Sequence, residues 1–269
     1  MAQGSYREDP LTPGERDEYE ADLISFCDRE LDPLGGIAGQ NVLYAGGASL
    51  LWLEGLGQRI GSEGHLTALD ADPQRIEHAQ SVLAEAEIPA PIRLVVGSVF
   101  EPPFQARSFD LVYSAGLFHE LDVSERPAEA ALVVLASVLK SGGRLATSDF
   151  VDLVDAVQLE DEALDREVAL ASTGAKLYGI HDPESLVGLH ERSLSEVRWR
   201  VLPPYRIRHL DKVVLDEDEP ARIKGLTEAA RRGPRERRLT LLERVRREGY
   251  TRPATVYVEG GAPRVEIPA

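Results

Sequence analysis

The sequence predicts an α/β protein with a doubly wound, mostly parallel, seven-stranded sheet, helices on both faces and an inserted helical cap. Short apolar runs alternate with stretches of helical periodicity between residues 41 and 150, and this alternation is typical of parallel sheets. After residue 150 the rhythm changes to charged helical stretches and two late strands. We therefore expect an N-terminal arm and helix over residues 1–40 and one domain over residues 41–269, with the cap at about residues 151–192.

The elements of the sheet follow in order from their apolar runs and end signals. Residues 15–31 have apolar positions at helical spacing, and the Asp-Pro and Gly-Gly pairs within 32–36 end that helix. Five strands are then predicted: NVLYAG (41–46), GHLTALD (64–70), IRLVVGS (92–98), FDLVYSAG (109–116) and GGRLATSDF (142–150). The helices between them are LLWLEGLGQRI, DPQRIEHAQSVLAEAEI and PAEAALVVLASVLK. The late strands EVRWRVL and ATVYVEG are expected to complete the same sheet, preceded by the capped helix HDPESLVGLHERS.

The composition restricts partners and compartment. A net charge of −16 argues against a general affinity for nucleic acid, because phosphate binding needs a basic surface. The longest nearly unbroken apolar run, AALVVLASVL (130–139), is too short to span a bilayer, so we predict no membrane partner. The first residues lack the basic and apolar regions of a signal peptide, which predicts a cytoplasmic protein. The single cysteine, Cys27, excludes an internal disulfide and a cysteine-built zinc site.

Charge is distributed unevenly along the chain. Residues 193–250 hold 15 Lys and Arg against 10 Asp and Glu, although the whole chain is acidic. Two interpretations stay open. This stretch is either a solvated helix laced with Glu–Arg pairs or an anion-binding face for an acidic substrate. The expected partner is accordingly a small-molecule acceptor, with an anionic acceptor and a homodimer both left open.

The first two strand ends indicate a nucleoside-like cofactor without phosphates. Asp70 ends the second strand, where a carboxylate can accept hydrogen bonds from both ribose hydroxyls. Asp72 is the better helix N-cap by spacing, which leaves Asp70 for a ligand. The turn Gly46-Gly47-Ala48-Ser49-Leu50-Leu51 lacks the second and third glycines of a dinucleotide loop. Side chains there would obstruct a pyrophosphate, so we expect a cofactor without phosphate groups.

Four segments occur in the order and at the spacing of one known family. They are VLYAGGASLLWLEGLGQRIGSEGHLTALDAD, the RIGSEG within it, VVGSVFEPPFQARSFDLVYSAGLFHEL and LKSGGRLATSDF. They resemble class I S-adenosylmethionine-dependent methyltransferases, nearest the ubiquinone/menaquinone-biosynthesis type of the methyltransferase type 11 group. The tail resembles the family less, apart from HDPESLVGLHERSLSEVRWRVL. The resemblance implies a Rossmann-like fold, S-adenosylmethionine as cofactor and methyl transfer to a small molecule. The implied cofactor-binding residues are Ala45, Gly46, Gly47, Ser49, Asp70, Ala71, Ser98, Val99 and Ser114.

The chain departs from the family's pattern at several positions. Tyr44 stands where the family usually has an acid, and Ala48 and Leu50 stand where it has glycines. Ser98 stands where the family often has Asp. We therefore expect a cofactor that binds in the usual place but weakly.

Three residues are candidates for catalysis. Methyl transfer from an activated cofactor needs positioning of the acceptor, and a base helps when the acceptor is a hydroxyl or an acidic carbon. His119 is the leading candidate, just after the fourth strand, and Tyr178 and His181 are predicted to reach down from the cap. Asp149 and Asp152, at the end of the fifth strand, can bind substrate or a metal, but no second spaced ligand set supports a metal, so none is predicted.

Other functions remain open on the sequence alone. A methyltransferase-fold protein that has lost or changed methyl transfer would be an accessory binding protein or a cyclase- or decarboxylase-like relative. A nicotinamide dehydrogenase is a further alternative. The residues that discriminate among these functions are the loop 44–50 and Asp70.

Overall fold

The computed structural model describes residues 11–121, 126–174, 182–214 and 221–263. Contacts group them into two compact units. The larger, the sheet unit, comprises the described parts of Cys27–Leu153, Tyr178–Pro203 and Ala254–Ala269. The smaller, the helical unit, comprises those of Met1–Phe26, Val154–Leu177 and Pro204–Pro253.

A seven-stranded sheet forms the centre of the sheet unit. Numbered in chain order, its strands are β1 (Asn41–Ala45), β2 (His65–Asp70), β3 (Ile92–Val96), β4 (Phe109–Ala115), β5 (Leu139–Val151), β6 (Leu194–Leu202) and β9 (Ala254–Pro263). Their order is β3-β2-β1-β4-β5-β9-β6. The first five are parallel, and β9 runs antiparallel to β5 and β6. The predicted fold class is confirmed, including the return of both late strands to the same sheet.

Helices cover both faces of this sheet because the connections between parallel strands cross over. They are α2 (Leu50–Ile60), α3 (Pro73–Leu83), α4 (Arg126–Ser137), α6 (Pro183–Ser193) and the end of α1 (Pro13–Leu31). The predicted start signals act as expected in α3, where the Asp72 side chain accepts a hydrogen bond from Gln74 N at 2.8 Å. Asp182 caps α6 in the same way through Ser185 N. Helix α3 ends at Leu83, five residues before the predicted end at residue 88.

Two apolar clusters separate along the two faces of the sheet. One contains Leu43, Val112 and Val256 with residues of α4 and α6. The other contains Val42, Tyr44 and Tyr113 with residues of α1 and α2. Successive residues of one strand therefore enter opposite clusters, as the two-residue period of a strand requires.

The helical unit has its own small core and many ion pairs. Its elements are α5 (Val157–Thr173), β7 (Tyr205–Arg206), α7 (Leu210–Val214), α8 (Ala221–Lys224), α9 (Glu228–Glu248) and β8 (Thr251–Arg252), together with the first part of α1. Its buried apolar cluster consists of Leu164, Val168, Ile223 and Leu226. Residues 228–248 of the basic stretch form α9, whose Arg237 and Arg244 pair with Glu167 and Glu160 of α5. These pairs favour the interpretation of a solvated, salt-bridged helix.

The helical unit differs in its bounds from the predicted cap. Helix α6 falls in the sheet unit because Leu186 and Leu189 are buried in the cluster that contains Leu43. Residues 204–253 instead join α5. In the described part of the chain, no helix is both long and apolar enough to cross a bilayer.

Candidate functional site

A cavity of about 370 Å³ lies within the sheet unit, at the carboxyl ends of β1 and β4. In open α/β sheets ligands bind beyond the carboxyl ends of the strands, where the strand order reverses. Here β1 and β4 are neighbours in the sheet although they are not consecutive in the chain, so the cavity lies at such a point. Its walls are formed by Tyr44, Gly46, Gly47, Ala48, Ser49, Trp52, Arg75, His78, Ala115, Gly116, His119 and Glu120.

In the glycine loop after β1, Gly46 has a left-handed backbone conformation. Its φ is +78°, and a Cβ there would lie 2.6 Å from Cδ1 of Leu117. The N–H groups of Gly46 and Gly47 both donate to the carbonyl of Leu69, at 2.8 and 3.1 Å. The loop is thereby tied to the end of β2, and Ser49 follows as the N-cap residue of α2 without a side-chain cap bond. A left-handed φ favours glycine, which explains why this glycine is present.

Tyr44 occupies the space beneath the same loop. Only 2% of it is exposed, and a Cβ at Gly47 would lie 2.5 Å from its hydroxyl oxygen. Its ring stacks on Tyr113 at 6.2 Å between centroids, and Tyr113 in turn lies 6.1 Å from Trp52. Burial, followed by the charge of Asp70, raises the pKa of the Tyr44 phenol, so this group is neutral. An aromatic wall therefore stands where the family usually places a carboxylate.

Asp70 has a buried carboxylate oxygen that makes no hydrogen bond. The residue is 5% exposed, and its Oδ1 accepts from Asp72 N at 2.8 Å. Its Oδ2 has no hydrogen-bond partner among the residues that the structure describes, and Nη1 of Arg75 lies 3.8 Å away. An unsatisfied buried acceptor is rare and costly. Asp70 does not line the cavity, and this buried oxygen keeps an unused capacity to accept a hydrogen bond.

His119, also at the cavity wall, is within hydrogen-bond distance of the buried carboxylate of Asp149. It lies in a single 3-10 turn, Phe118–Glu120, directly after β4. Its Nδ1 is 3.1 Å from Oδ1 of Asp149, near the end of β5. Oδ2 of Asp149 accepts from Phe118 N at 2.7 Å and from His119 N at 3.3 Å. Asp149 is 3% exposed, whereas 29% of the His119 side chain is exposed.

The remaining residues predicted to bind the cofactor differ in their burial and do not line the cavity. Ala45 is fully buried under the loop, Val99 is buried, and Ala71 is exposed. The Ser98 side chain accepts a hydrogen bond from Phe100 N at 3.2 Å and so shapes the turn after β3.

Ser114 points away from the cavity. Its hydroxyl lies 3.2 Å from that of Thr147, whose Oγ1 is 2.9 Å from Nε2 of His190. All three side chains are buried. Of the other predicted residues, Gly46, Gly47, Ser49 and His119 line the cavity. Tyr178 and His181 lie outside the described residues.

Several residues of the cavity were not predicted as site residues. They are Tyr44, Ala48, Trp52, Arg75, His78, Ala115, Gly116 and Glu120. Arg75 and His78 stand three apart on α3, shortly after Asp70, so they share one helix face near the strand ends. That spacing was a usable signal. Nothing in the sequence, by contrast, marked Asp149 as the partner of His119.

These features fit a nucleoside better than a dinucleotide. Residues Ala48 and Leu50 leave no glycine for close approach of a pyrophosphate, and the loop's first two N–H groups already donate to Leu69. The unpaired Oδ2 of Asp70 offers the acceptor that a ribose hydroxyl needs. The cavity has the size of a small-molecule site. In the described part of the chain no cluster of three metal-ligating side chains occurs.

Comparisons with known proteins agree with this arrangement. A family model described as a methyltransferase domain matches residues 42–143. The demethylmenaquinone methyltransferase of Listeria monocytogenes serotype 4a (strain HCC23) is 32% identical over 112 residues, which cover 41% of this chain and 45% of the relative. The homologous enzyme of Listeria innocua serovar 6a matches to the same extent. The chain thus spans less than half of the length of the curated relatives it matches.

Solved structures show the same fold at low identity. A putative sarcosine dimethylglycine methyltransferase from Galdieria sulphuraria has a TM-score of 0.55 at 16% identity, covering 93% of this chain and 91% of that one. The geranyl diphosphate C-methyltransferase of Streptomyces coelicolor A3(2) also has a TM-score of 0.55, at 11% identity, covering 98% and 90%. The fold is therefore Rossmann-like. The predicted resemblance is confirmed: residues 42–143 match a methyltransferase-domain model, and the chain shares the fold of solved methyltransferases.

Proposed function

We propose that the protein is an S-adenosylmethionine-dependent methyltransferase that acts on a small-molecule acceptor. The observation that carries the proposal is the buried Oδ2 of Asp70, which makes no hydrogen bond among the described residues, at the end of the strand whose Leu69 carbonyl holds the glycine loop. The matching segment 42–143 contains both features. The Streptomyces coelicolor neighbour, solved with S-adenosyl-L-homocysteine and geranyl diphosphate, supports the same class of cofactor and a small acceptor.

Asp70 is proposed to hold the ribose. A carboxylate oxygen without a partner gains a charge-assisted hydrogen bond from a ribose hydroxyl, and such bonds contribute roughly 1.5–3 kcal/mol. The guanidinium of Arg75 lies near this oxygen, but its side chain is 60% exposed and long enough to move aside. The contact that it gives up is a long one, 3.8 Å from Nη1 to Oδ2.

The aromatic wall and the loop are proposed to hold the rest of the cofactor. Gly46 and Gly47 bring the backbone to the cavity surface without a Cβ, and Trp52 and Tyr44 offer apolar ring surface. Ring faces attract cations. The cofactor supplies a methyl group already activated on a positively charged sulfur. The chain's own task is to orient the acceptor toward that methyl group and exclude water.

His119 is proposed as the group that takes a proton from the acceptor. It lines the cavity together with Arg75 and His78, from the 3-10 turn after β4. Tyr178 and His181 remain candidates from sequence for contacts to the acceptor.

Calorimetric titration with S-adenosylmethionine and S-adenosylhomocysteine tests the cofactor. The wild type should bind both, and Asp70→Asn should weaken binding by about tenfold to a hundredfold, since one charge-assisted hydrogen bond is lost. Asp72→Asn is the matched control, because Asn also caps helices and Asp72 serves α3. Equal affinity of Asp70→Asn and wild type would contradict the ribose role. Absence of binding by the wild type at millimolar ligand would favour an accessory protein that has lost the cofactor.

The acceptor is sought by transfer of labelled methyl groups from S-adenosylmethionine. The panel contains a demethylmenaquinone analogue, sarcosine and geranyl diphosphate, the compounds in the names of the relatives. We expect product with at least one small molecule and none with protein or nucleic acid. Label found in nucleic acid instead would refute the small-molecule acceptor.

A further inference from the structure

The hydrogen bonds around Asp149 determine which ring nitrogen of His119 carries the proton. Its Oδ2 accepts two backbone N–H groups, from Phe118 and His119, and its Oδ1 accepts one from Phe150 at 3.0 Å. An ionised carboxylate can only accept hydrogen bonds. The remaining contact, 3.1 Å from Oδ1 to Nδ1 of His119, therefore requires a proton on Nδ1.

The imidazole ring is also restrained from another side. Gly116 has φ +71°, and a Cβ at this position would lie 2.8 Å from Cε1 of His119. The ring therefore fits between the backbone of Gly116 and the carboxylate of Asp149. Nε2 is the ring nitrogen on the other side from Asp149, and His119 forms part of the cavity wall.

We propose that Asp149 is a positioning residue that fixes His119 in the tautomer with Nδ1 protonated, so that Nε2 accepts the proton released by the methyl acceptor. The proton transfer to Nε2 rests on the proposed function, whereas the tautomer does not. In the transfer, the acceptor's electron pair forms the new bond to the methyl carbon. The carbon–sulfur bond breaks with its electrons left on sulfur, and the acceptor's proton passes to Nε2. Asp149 then stabilises the doubly protonated imidazole, the role of the carboxylate in a Ser-His-Asp triad.

The proposal implies an acceptor that carries a proton on the atom to be methylated. The pair His119–Asp149 would not accelerate methylation of an acceptor that already has an available electron pair and no proton to lose. General base catalysis contributes roughly 10²–10⁴-fold in rate.

Asp149 also has a structural role, because it caps the turn that contains His119. A fall in activity in a variant would therefore not separate positioning from folding. The tautomer of His119 does separate them. In Asp149→Asn the new NH₂ group avoids the Oδ2 position, where two backbone N–H groups converge. It takes the Oδ1 position instead, where it gives up the single hydrogen bond from Phe150 N and faces Nδ1, which must then accept, so that the proton moves to Nε2.

The test is a nitrogen-15 spectrum of the imidazole rings of the whole protein, at a pH where His119 is neutral. The His119 signals are assigned by their loss in His119→Gln. Wild type and the matched control Asp152→Asn, which changes an exposed aspartate on the same segment, should show Nδ1 protonated. Asp149→Asn should show Nε2 protonated. A wild-type ring with unprotonated Nδ1 overturns the proposal, and so does an unchanged tautomer in a folded Asp149→Asn.

Proton transfer to Nε2 is tested by single-turnover methylation of an acceptor identified among the compounds tried for the proposed function. Asp149→Asn should lower the rate about 10²–10⁴-fold with the calorimetric affinity for S-adenosylmethionine unchanged. His119→Gln and the double variant should lose about as much, because residues that act as a unit are not additive. An equal rate in Asp149→Asn overturns the proton-transfer role. The spectrum needs neither cofactor nor acceptor, so it decides the tautomer even where the proposed function fails.

Discussion

Gly47→Ala should destabilise the protein when Tyr44 is present and should have little effect when the Tyr44 ring is removed. Gly47 has no positive φ, so Gly47→Ala meets no backbone strain of that kind. The new Cβ would instead lie 2.5 Å from the hydroxyl oxygen and 2.7 Å from Cζ of Tyr44. Because Tyr44 is 2% exposed and packed against Tyr113, the ring cannot retreat without disturbing its neighbours. Overpacking of this kind typically lowers the free energy of unfolding by about 1–3 kcal/mol.

A double-mutant cycle isolates this clash. For a chain of this length, 1 kcal/mol corresponds to roughly 2–4 °C in Tm, so Gly47→Ala should lower Tm by about 2–12 °C by those two ranges. Tyr44→Leu removes the ring atoms that meet the new Cβ, although it destabilises the protein itself by leaving a cavity. In that background Gly47→Ala should change Tm by about 1 °C or less.

Thermal unfolding of the four proteins, followed by circular dichroism, gives the coupling energy. The cycle should show an interaction of about 1 kcal/mol or more, since the two residues are in contact. Additive effects in both backgrounds would refute the reasoning, because the penalty at Gly47 would then have another cause. Cofactor titration of Tyr44→Leu/Gly47→Ala adds a control for the shape of the loop.

Three further outcomes are expected. Gly116→Ala should lower single-turnover methylation at least about tenfold, because it displaces the ring of His119 from its position at the cavity; full turnover would contradict this. Arg75→Ala should change the calorimetric Kd for S-adenosylmethionine by less than about fivefold, since exposed ion pairs are weak; a larger loss would show that Arg75 itself holds the ligand. Burial lowers the pKa of His190 from 6.5 to about 4, so the free energy of unfolding should fall by up to about 3 kcal/mol as pH falls from 6.5 towards 4. His190→Gln should flatten that part of a pH series of urea unfolding, and an unchanged slope would count against the burial argument.

The fold was predictable because its signals are local. The two-residue and helical periods predicted the strands, and Asp72 with Pro73 predicted the start of α3, where the Asp72 cap is observed. The limits of the cap were not predictable in the same way. Whether the helix at 183–193 joins the sheet or the helical unit depends on which cluster buries Leu186 and Leu189, and no local pattern contains that information.

For the candidate site, the sequence points to single residues and does not indicate which of them form pairs. Gly46 and Asp70 follow from the rule that ligands lie at strand ends, and the structure places the one in the cavity wall and leaves the other with an unpaired oxygen. The bond between His119 and Asp149 joins residues 30 positions apart, one in the turn after β4 and the other near the end of β5. It needs the register of β4 against β5, which places Ala115 opposite Ser148. Sequence spacing does not give that register.

The packing of Tyr44 under Gly47 changes how the loop is supported. Where the family usually has an acid, this chain has a neutral phenol that fills space, and Gly47 supplies the room for it. The loop is then held by ring packing and by the bonds of Gly46 and Gly47 to Leu69, not by a carboxylate. Of the two acids that the family usually places at these strand ends, Asp70 alone remains. The loss on Asp70→Asn should accordingly exceed that of the same change in a methyltransferase that retains both acids, in a side-by-side titration. An equal loss in the two proteins would mean that Tyr44 replaces the missing acid as a ligand and not only as a packing group.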